Sequence, residues 1–246
     1  MKISVISDIH VNPNSENGLQ TLKRFCRNKF VVESDLVVFL GDIFDLMVYE
    51  FDSYMEIYSE ALDGIKSLGE NKPEIIFVEG NHDFSIQEQL TNFFNDIKFK
   101  YFEEGFTLNA HGKKLAFYHG DSIEVDNAFY RVYRFLIKST LAKHVYQSIV
   151  GFKKAWRLGN YFLQKSHDRH QKYSSSYKSE EVRDKFRISA KRFFNQNKNF
   201  SFLVCGHSHI KDDFLIDGKR YLNNGYAQKE QTFLYFDGNG FSFKNL

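Results

Sequence analysis

Five short apolar runs in this chain each give way abruptly to polar, mostly ionisable residues, and this repeated switch limits the possible folds more than any other feature. Ile3 to Ile6 ends at Ser7-Asp8-Ile9-His10, and Leu36 to Leu40 ends at Gly41-Asp42. Ile75 to Val78 leads into Gly80-Asn81-His82-Asp83, and Leu115 to Tyr118 into His119-Gly120-Asp121. Phe202 to Cys205 ends at Gly206-His207-Ser208-His209. Runs this short, rich in β-branched and aromatic residues and bounded by glycine, read as buried strands.

Helical stretches lie between them. Asn17 to Asn28 is one, and Ser85 to Phe94 another. Asp52 to Leu68 carries Met55, Tyr58, Leu62 and Ile65 at helical spacing, with Gly69 at its end. Alternating strands and helices predict an α/β layered fold. Polar residues just past the strand ends of such sheets converge on one edge, so five motifs at five strand ends predict one site. His111, before Gly112, reads as a hairpin turn. The tail from Asp213 to Phe243 has short strands punctuated by glycine and reads as antiparallel sheet.

The residue types in these motifs are carboxylate, imidazole and amide oxygen, the donors that bind divalent transition metals. Asp8 and His10 are two apart, so on an extended segment their side chains point the same way, and so do those of His207 and His209. Asp42 is a carboxylate able to bridge two ions, and Asn81 offers a carbonyl oxygen. Two ions sharing Asp8, His10, Asp42, Asn81, His119, His207 and His209 keep positions open for water and substrate. Two-metal sites of this kind act on phosphoryl groups. His82 follows Asn81 and points elsewhere, so it is the candidate for hydrogen bonding a phosphate oxygen or protonating a leaving group, with Asp83 to orient it. Any one motif alone is weak, since Gly-Asp or Gly-Asn-His-Asp is also turn chemistry. Five in succession, each after a strand, carry the metal assignment.

With 246 residues, the chain suits one domain. Its 42% hydrophobic content excludes a disordered chain, and 27 Phe and 14 Tyr point to an aromatic core. Cys26 and Cys205 form no Cys-x-x-Cys pair, which fits a reducing cytoplasm. No secretory signal is visible, and no uncharged apolar stretch approaches the roughly 20 residues that span a bilayer. The expectation is a soluble, cytoplasmic protein.

Net charge is +2 but unevenly spread. Asn127 to Lys178 holds eleven Lys or Arg residues and a single acid, Asp168. Phe129, Val132, Tyr133, Leu136 and Ile137 fall on one side of a helical spacing, with Arg131, Arg134 and Lys138 on the other. Val145 to Leu163 and Glu180 to Asn195 read as further helices, with a loop at Ser174-Ser175-Ser176. No motif strand occurs between Tyr118 and Ser201. The expected organisation is a single domain over 1–246, with a helical lid inserted at about 124–198. A basic, aromatic-rich amphipathic segment suits an anionic membrane surface, and its apolar face can bury acyl chains. His144, His167 and His170 within it read as solvated.

The set Asp8-x-His10, Gly41-Asp42, Gly80-Asn81-His82-Asp83, His119-Gly120-Asp121 and Gly206-His207-Ser208-His209 resembles the calcineurin-like metallophosphoesterase superfamily. The likeness runs from residue 4 to about 209, and Asn223-Asn224-Gly225 is similar to that family's closing segment. It implies a four-layer αββα sandwich, of α/β (α+β) class, and two divalent ions, Mn2+ first, with Fe or Zn as alternatives. It also implies that Asp8, His10, Asp42 and His209 hold one ion and that Asp42, Asn81, His119 and His207 hold the other.

Within the superfamily the chain most resembles the UDP-2,3-diacylglucosamine pyrophosphatases of lipid A synthesis. Gly41-Asp42-Ile43-Phe44-Asp45 looks like theirs, and the insertion follows His119-Gly120-Asp121, where that family carries its lipid-binding lid. Tyr130 matches a lid tyrosine in spacing. Arg157, Lys165 and Arg169 are the candidate phosphate or membrane contacts. Well-known members have Arg at the position of His82, while related branches keep His. The resemblance implies hydrolysis of a lipid-linked nucleotide to UMP and 2,3-diacylglucosamine 1-phosphate, at the inner face of the inner membrane and with no nucleic-acid partner. The alternative is a phosphoesterase acting on a soluble phosphomonoester, cyclic nucleotide or dinucleotide.

Overall fold

The structure, a computed structural model, describes residues 1–71, 73–123, 136–157, 159 and 176–246. The strands are β1 Ile3–Ile6, β2 Leu36–Leu40, β3 Met47–Val48, β4 Glu74–Val78, β5 Asp83–Phe84, β6 Phe99–Phe102, β7 Gly105–Ala110, β8 Lys113–Tyr118, β9 Phe202–Cys205, β10 Asp212–Ile216, β11 Lys219–Asn223, β12 Thr232–Phe236 and β13 Phe241–Asn245. Two sheets form the body. One has six strands in the order β13-β12-β1-β2-β4-β6, and the other five in the order β10-β11-β9-β8-β7.

The apolar runs lack polar alternation because both faces of these strands are buried. Val37 and Phe39 of β2 pack into the helix-covered core with Ile6, Ile75 and Phe77, while Leu36, Val38 and Leu40 face the other way. There they meet Leu115, Phe117, Phe202 and Val204 from the second sheet. Leu203 and Cys205 of β9 face outward again, onto Phe186, Ala190 and Phe194 of the helix Ser176–Gln196. The result is four layers: helices, sheet, sheet, helix.

This arrangement corrects three expectations. The helix Ser176–Gln196 falls inside the anticipated lid at 124–198, yet its apolar stripe is the outer layer over the second sheet. The tail is not one antiparallel sheet: β10 and β11 join the second sheet, with β11 parallel to β9, while β12 and β13 complete the first. The helix expected over Asp52 to Leu68 is broken at Tyr58 into Ser53–Ile57 and Ser59–Asn71, and Tyr58 spends its hydroxyl on the Leu46 carbonyl at 3.0 Å. Gly69 does not stop it. A Cβ there would lie 2.5 Å from Ile97 Cδ1, so this glycine serves close packing.

β1, β2 and β4 run parallel, as do β8 and β9. The loops leaving them meet: the Asp8 amide donates to Gly41 O at 3.1 Å and the Gly206 amide to His119 O at 2.7 Å. His111 sits with Gly112 at the turn between β7 and β8.

Candidate metal centre

The strands end before the polar residues begin, and the backbone then turns sharply. Asp8, His10, Asp42, His207 and His209 all have positive φ, between 51° and 67°. Left-handed backbone costs a non-glycine residue on the order of 1–3 kcal/mol and collects at functional sites. The side chains of Asp8 and His10, and of His207 and His209, are therefore brought together by tight left-handed turns instead of strand alternation. Two glycines make room. A Cβ on Gly80 would lie 2.1 Å from Asp42 Oδ1, and one on Gly206 would lie 2.4 Å from Asp8 Oδ2.

Asp8, His10, Asp42 and His209 point donor atoms at one another, all within 4.8 Å. His209 Nε2 is 3.1 Å from His10 Nε2 and 3.3 Å from Asp8 Oδ1, and His10 Nε2 is 3.9 Å from Asp42 Oδ2. Asp42, His119 and His207 form a second such group. His119 Nε2 lies 3.3 Å from Asp42 Oδ2 and 3.2 Å from Asn81 Oδ1. Asp42 belongs to both groups. Mixed imidazole nitrogens and carboxylate or amide oxygens in this density fit divalent manganese, iron or zinc, so the residues present suit a pair of ions.

The rings are held from behind. Nδ1–H of His119 donates to Leu40 O at 2.9 Å, which leaves Nε2 toward Asp42 and Asn81. His10 Nδ1 is 3.4 Å from Asp45 Oδ1, and Asn12 donates to Asp45 Oδ2 at 2.6 Å. Such outer partners fix ring orientation and raise ligand basicity. Asp8 accepts from the Ser7 hydroxyl at 2.5 Å and from the His207 amide at 3.0 Å. Tyr226 stacks on His209, with centroids 5.2 Å apart and planes at 19°.

Electrostatics favour ionised carboxylates. Burial opposes charge on Asp42, but His119, His82 and His10 outweigh it and hold the carboxyl well below the usual range. Asp8 is also lowered, with His209 overcoming burial. Burial and the neighbouring His119 push His207 down to about 4, so it is neutral at pH 7. His119 goes the other way: burial opposes its charge, yet Asp42 raises it to about 10.

His82 stands beside this cluster. Its Nδ1–H donates to Asp45 O at 2.9 Å, and Nε2 lies 4.0 Å from Asp42 Oδ2. The expectation that Asp83 orients His82 is overturned. Asp83 is fully buried and accepts from the backbone amides of Asp42, Ile43, Phe44 and Gly80, at 2.6 to 3.2 Å. It ties the Asp42 loop to the Asn81 loop, and the Asp45 carbonyl holds His82. Burial and the nearby Asp42 charge push Asp83 up to about 7.

Among the anticipated lid contacts, Arg157 is exposed at the end of the helical turns 151–157. Tyr130, Lys165 and Arg169 lie outside the described residues, as do His167 and His170. Asp45 and Tyr226 were not anticipated as site residues. Asp45 closes the Gly41-to-Asp45 stretch, and an aromatic residue directly after Asn223-Asn224-Gly225 was the available signal for Tyr226.

Residues 1–211 match a family model described as calcineurin-like phosphoesterase. The UDP-2,3-diacylglucosamine hydrolase of Vibrio parahaemolyticus serotype O3:K6 is 22% identical over 246 residues, covering 98% of this chain and 96% of that protein. The protein of the same name from Neisseria meningitidis serogroup C is 24% identical over 245 residues, with the same two coverages of 98% and 96%. Among solved structures, an archaeal phosphodiesterase superposes over 100% of both chains with a TM-score of 0.52 at 13% identity, a likeness of fold alone.

Proposed function

The chain belongs to the calcineurin-like phosphoesterase family of metal-dependent hydrolases, and within it we propose that it hydrolyses the pyrophosphate of UDP-2,3-diacylglucosamine. Water adds to one phosphorus and the bridging oxygen departs, giving UMP and 2,3-diacylglucosamine 1-phosphate. The observation that carries this choice is the end-to-end similarity to hydrolases of that name, at 98% of this chain and 96% of theirs, which continues through the insertion.

In this reading Asp8, His10, Asp42 and His209 hold one divalent ion, and Asp42, Asn81, His119 and His207 hold the other, with manganese the first choice. When bound, such a pair supplies Lewis acidity at phosphoryl oxygens and makes a water acidic enough to attack at neutral pH. The chain's own residues do the rest. Asp42, ionised and buried, serves both positions. Asn81 and His82 face the substrate phosphate. With Nδ1–H pinned on the Asp45 carbonyl, the imidazolium form of His82 would donate Nε2–H to a phosphoryl oxygen or pass that proton to the leaving phosphate.

The insertion is assigned to the lipid. The helix Thr140–Val145 and the π-turn Tyr146–Val150 that continues it pack Tyr146 inward on Tyr49 but also turn apolar residues outward. Lys143 and Gln147 point inward, to Glu50 and to the Tyr49 carbonyl. Leu141 and Ile149, each 74% exposed, and Val145, 38% exposed, point outward. Exposed Lys153, Lys154 and Arg157 follow on the next turns. An apolar stripe flanked by cations supports peripheral contact with an anionic bilayer on the cytoplasmic side. Among the described residues, no helix is long and apolar enough to cross a membrane. Tyr130, Lys165 and Arg169 remain proposed substrate contacts.

The test is a manganese-supplemented activity screen against UDP-2,3-diacylglucosamine, bis-p-nitrophenyl phosphate and cyclic nucleotides. Turnover of the diacylated nucleotide well above the others is expected. Faster hydrolysis of a cyclic nucleotide would replace the lipid assignment with a soluble substrate.

A further inference from the structure

Glu79 is the last residue before the Gly80-Asn81-His82-Asp83 loop, and it is only 3% exposed. A carboxylate so buried requires partners, and its two oxygens take different ones. Oε1 accepts from the Ser85 amide at 2.6 Å and from the Tyr101 hydroxyl at 2.5 Å. Oε2 accepts from Lys138 Nζ at 2.6 Å. The first oxygen thus closes the loop, joining the residue before it to a residue just after it. The second reaches into the insertion.

A second anchor lands on the same neighbourhood. Lys143 pairs with Glu50, and Glu50 Oε1 accepts the Glu88 amide at 2.8 Å. The Tyr49 hydroxyl donates to Ile137 O at 2.6 Å, and Gln147 donates to Tyr49 O at 2.6 Å. Tyr49 follows β3, which pairs in parallel with β5 directly after His82, and the Met47 amide donates to His82 O at 2.9 Å. The insertion is therefore fastened to both sides of the loop that carries Asn81 and His82.

We propose that Glu79 is a positioning residue for the His82 loop, and that it holds this loop in place only while Lys138 of the insertion is docked against it. Insertion docking and the geometry around His82 then change together. This rests on the phosphoesterase chemistry of the site, not on the identity of the lipid. Losing Lys138 would leave Glu79 Oε2 buried without its partner, and the side chain that also holds the Ser85 amide and the Tyr101 hydroxyl would have to move to find another. Breaking a buried pair by removing one partner is costly because the other is left uncompensated.

The experiment compares Lys138→Met, Glu79→Gln, the double variant and Lys138→Arg. Hydrogen–deuterium exchange is followed at residues 80–86 and in the insertion, alongside manganese content and turnover of bis-p-nitrophenyl phosphate, a substrate too small to need the lid. Glu79→Gln keeps an acceptor for Ser85 and Tyr101 but loses the charge that meets Lys138. Each single variant should speed exchange at 80–86 and lower kcat on the order of tenfold, with KM and metal content little changed. The double variant should be no worse than either single one, and Lys138→Arg should behave as wild type. Wild-type exchange at 80–86 in Lys138→Met, with faster exchange confined to the insertion, overturns the coupling whatever the substrate proves to be. Additive losses in the double variant also overturn it. Should Lys138→Met fold poorly, Glu79→Gln against Lys138→Arg decides on the same readouts.

Discussion

The Nε2 atoms of His10 and His209 face each other 3.1 Å apart, although 199 residues separate them in the chain. Two ring nitrogens at this distance can share one proton at most. Asp8 Oδ1 lies 3.3 Å from the second of them and Asp42 Oδ2 3.9 Å from the first. Nitrogen lone pairs and ionised carboxylates crowded in this way repel one another unless something positive sits among them. A divalent cation among them would offset that repulsion and the strained φ values at Asp8, His10 and His209, beyond what the charge on His119 supplies to Asp42.

Chelation should therefore act on stability as well as on activity. Treatment with a strong chelator is expected to abolish phosphodiester hydrolysis and to lower the thermal unfolding midpoint by several degrees. The scale follows from linkage: a ligand at a hundredfold excess over its Kd stabilises by about 2.7 kcal/mol. Manganese added back should restore both. Scanning calorimetry with unchanged midpoint and full turnover in chelator would contradict a metal site here.

Asp42 belongs to two of the three donor groups and joins the Asp8 and His209 side to the His119 and His207 side, so it should be the least replaceable residue. Asp42→Ala is expected to remove at least one ion per chain and to reduce turnover to background. Elemental analysis and kinetics check this together. Two ions retained with normal turnover would mean that Asp42 does not bridge.

The site was legible in the sequence wherever the signal was local. An apolar run that stops at Gly-Asp or Gly-His-Ser-His shows a strand end, and the residue types there are the donors that the fold brings together. Left-handed backbone at His207 and His209 was not legible, because asparagine or glycine would have been the expected residue. Asp45 and Glu79 were missed for another reason. Their roles depend on His10, His82, Ser85 and Lys138, which only folding brings near. Asp83 was misassigned by adjacency: next to His82 in sequence, it turns instead to the amides of Asp42, Ile43 and Phe44. Gly69 looked like a helix stop, and only the packed Ile97 side chain shows otherwise.

His82 has its Nδ1 committed to the Asp45 carbonyl and its Nε2 directed at the cluster without belonging to either donor group that contains Asp42. His82→Ala should leave two ions bound while lowering kcat by about 10²–10⁴-fold, the usual contribution of a general acid or base. Metal analysis separates the outcomes. Loss of an ion with the fold intact would make His82 a ligand.

The outward stripe on the insertion makes a prediction independent of the chemistry. A surface helix ordinarily hides its apolar residues, and here Lys143 and Gln147 share the hidden side with Tyr146 while Leu141 and Ile149 face out. On the proposed bilayer contact, the exposed Lys153, Lys154 and Arg157 nearby would favour an anionic bilayer over a neutral one, each basic residue adding about 1 kcal/mol close to such a surface. The protein should co-sediment with phosphatidylglycerol-containing vesicles more than with pure phosphatidylcholine, and high salt should weaken that binding. Leu141→Gln with Ile149→Gln should reduce it at least tenfold, because binding scales with the apolar area buried. Turnover of bis-p-nitrophenyl phosphate in the same preparation reports whether the body is still folded. Equal sedimentation of the variant would exclude the stripe as the bilayer contact. A change confined to oligomeric state, read by light scattering, would assign the stripe to a second copy of the chain instead.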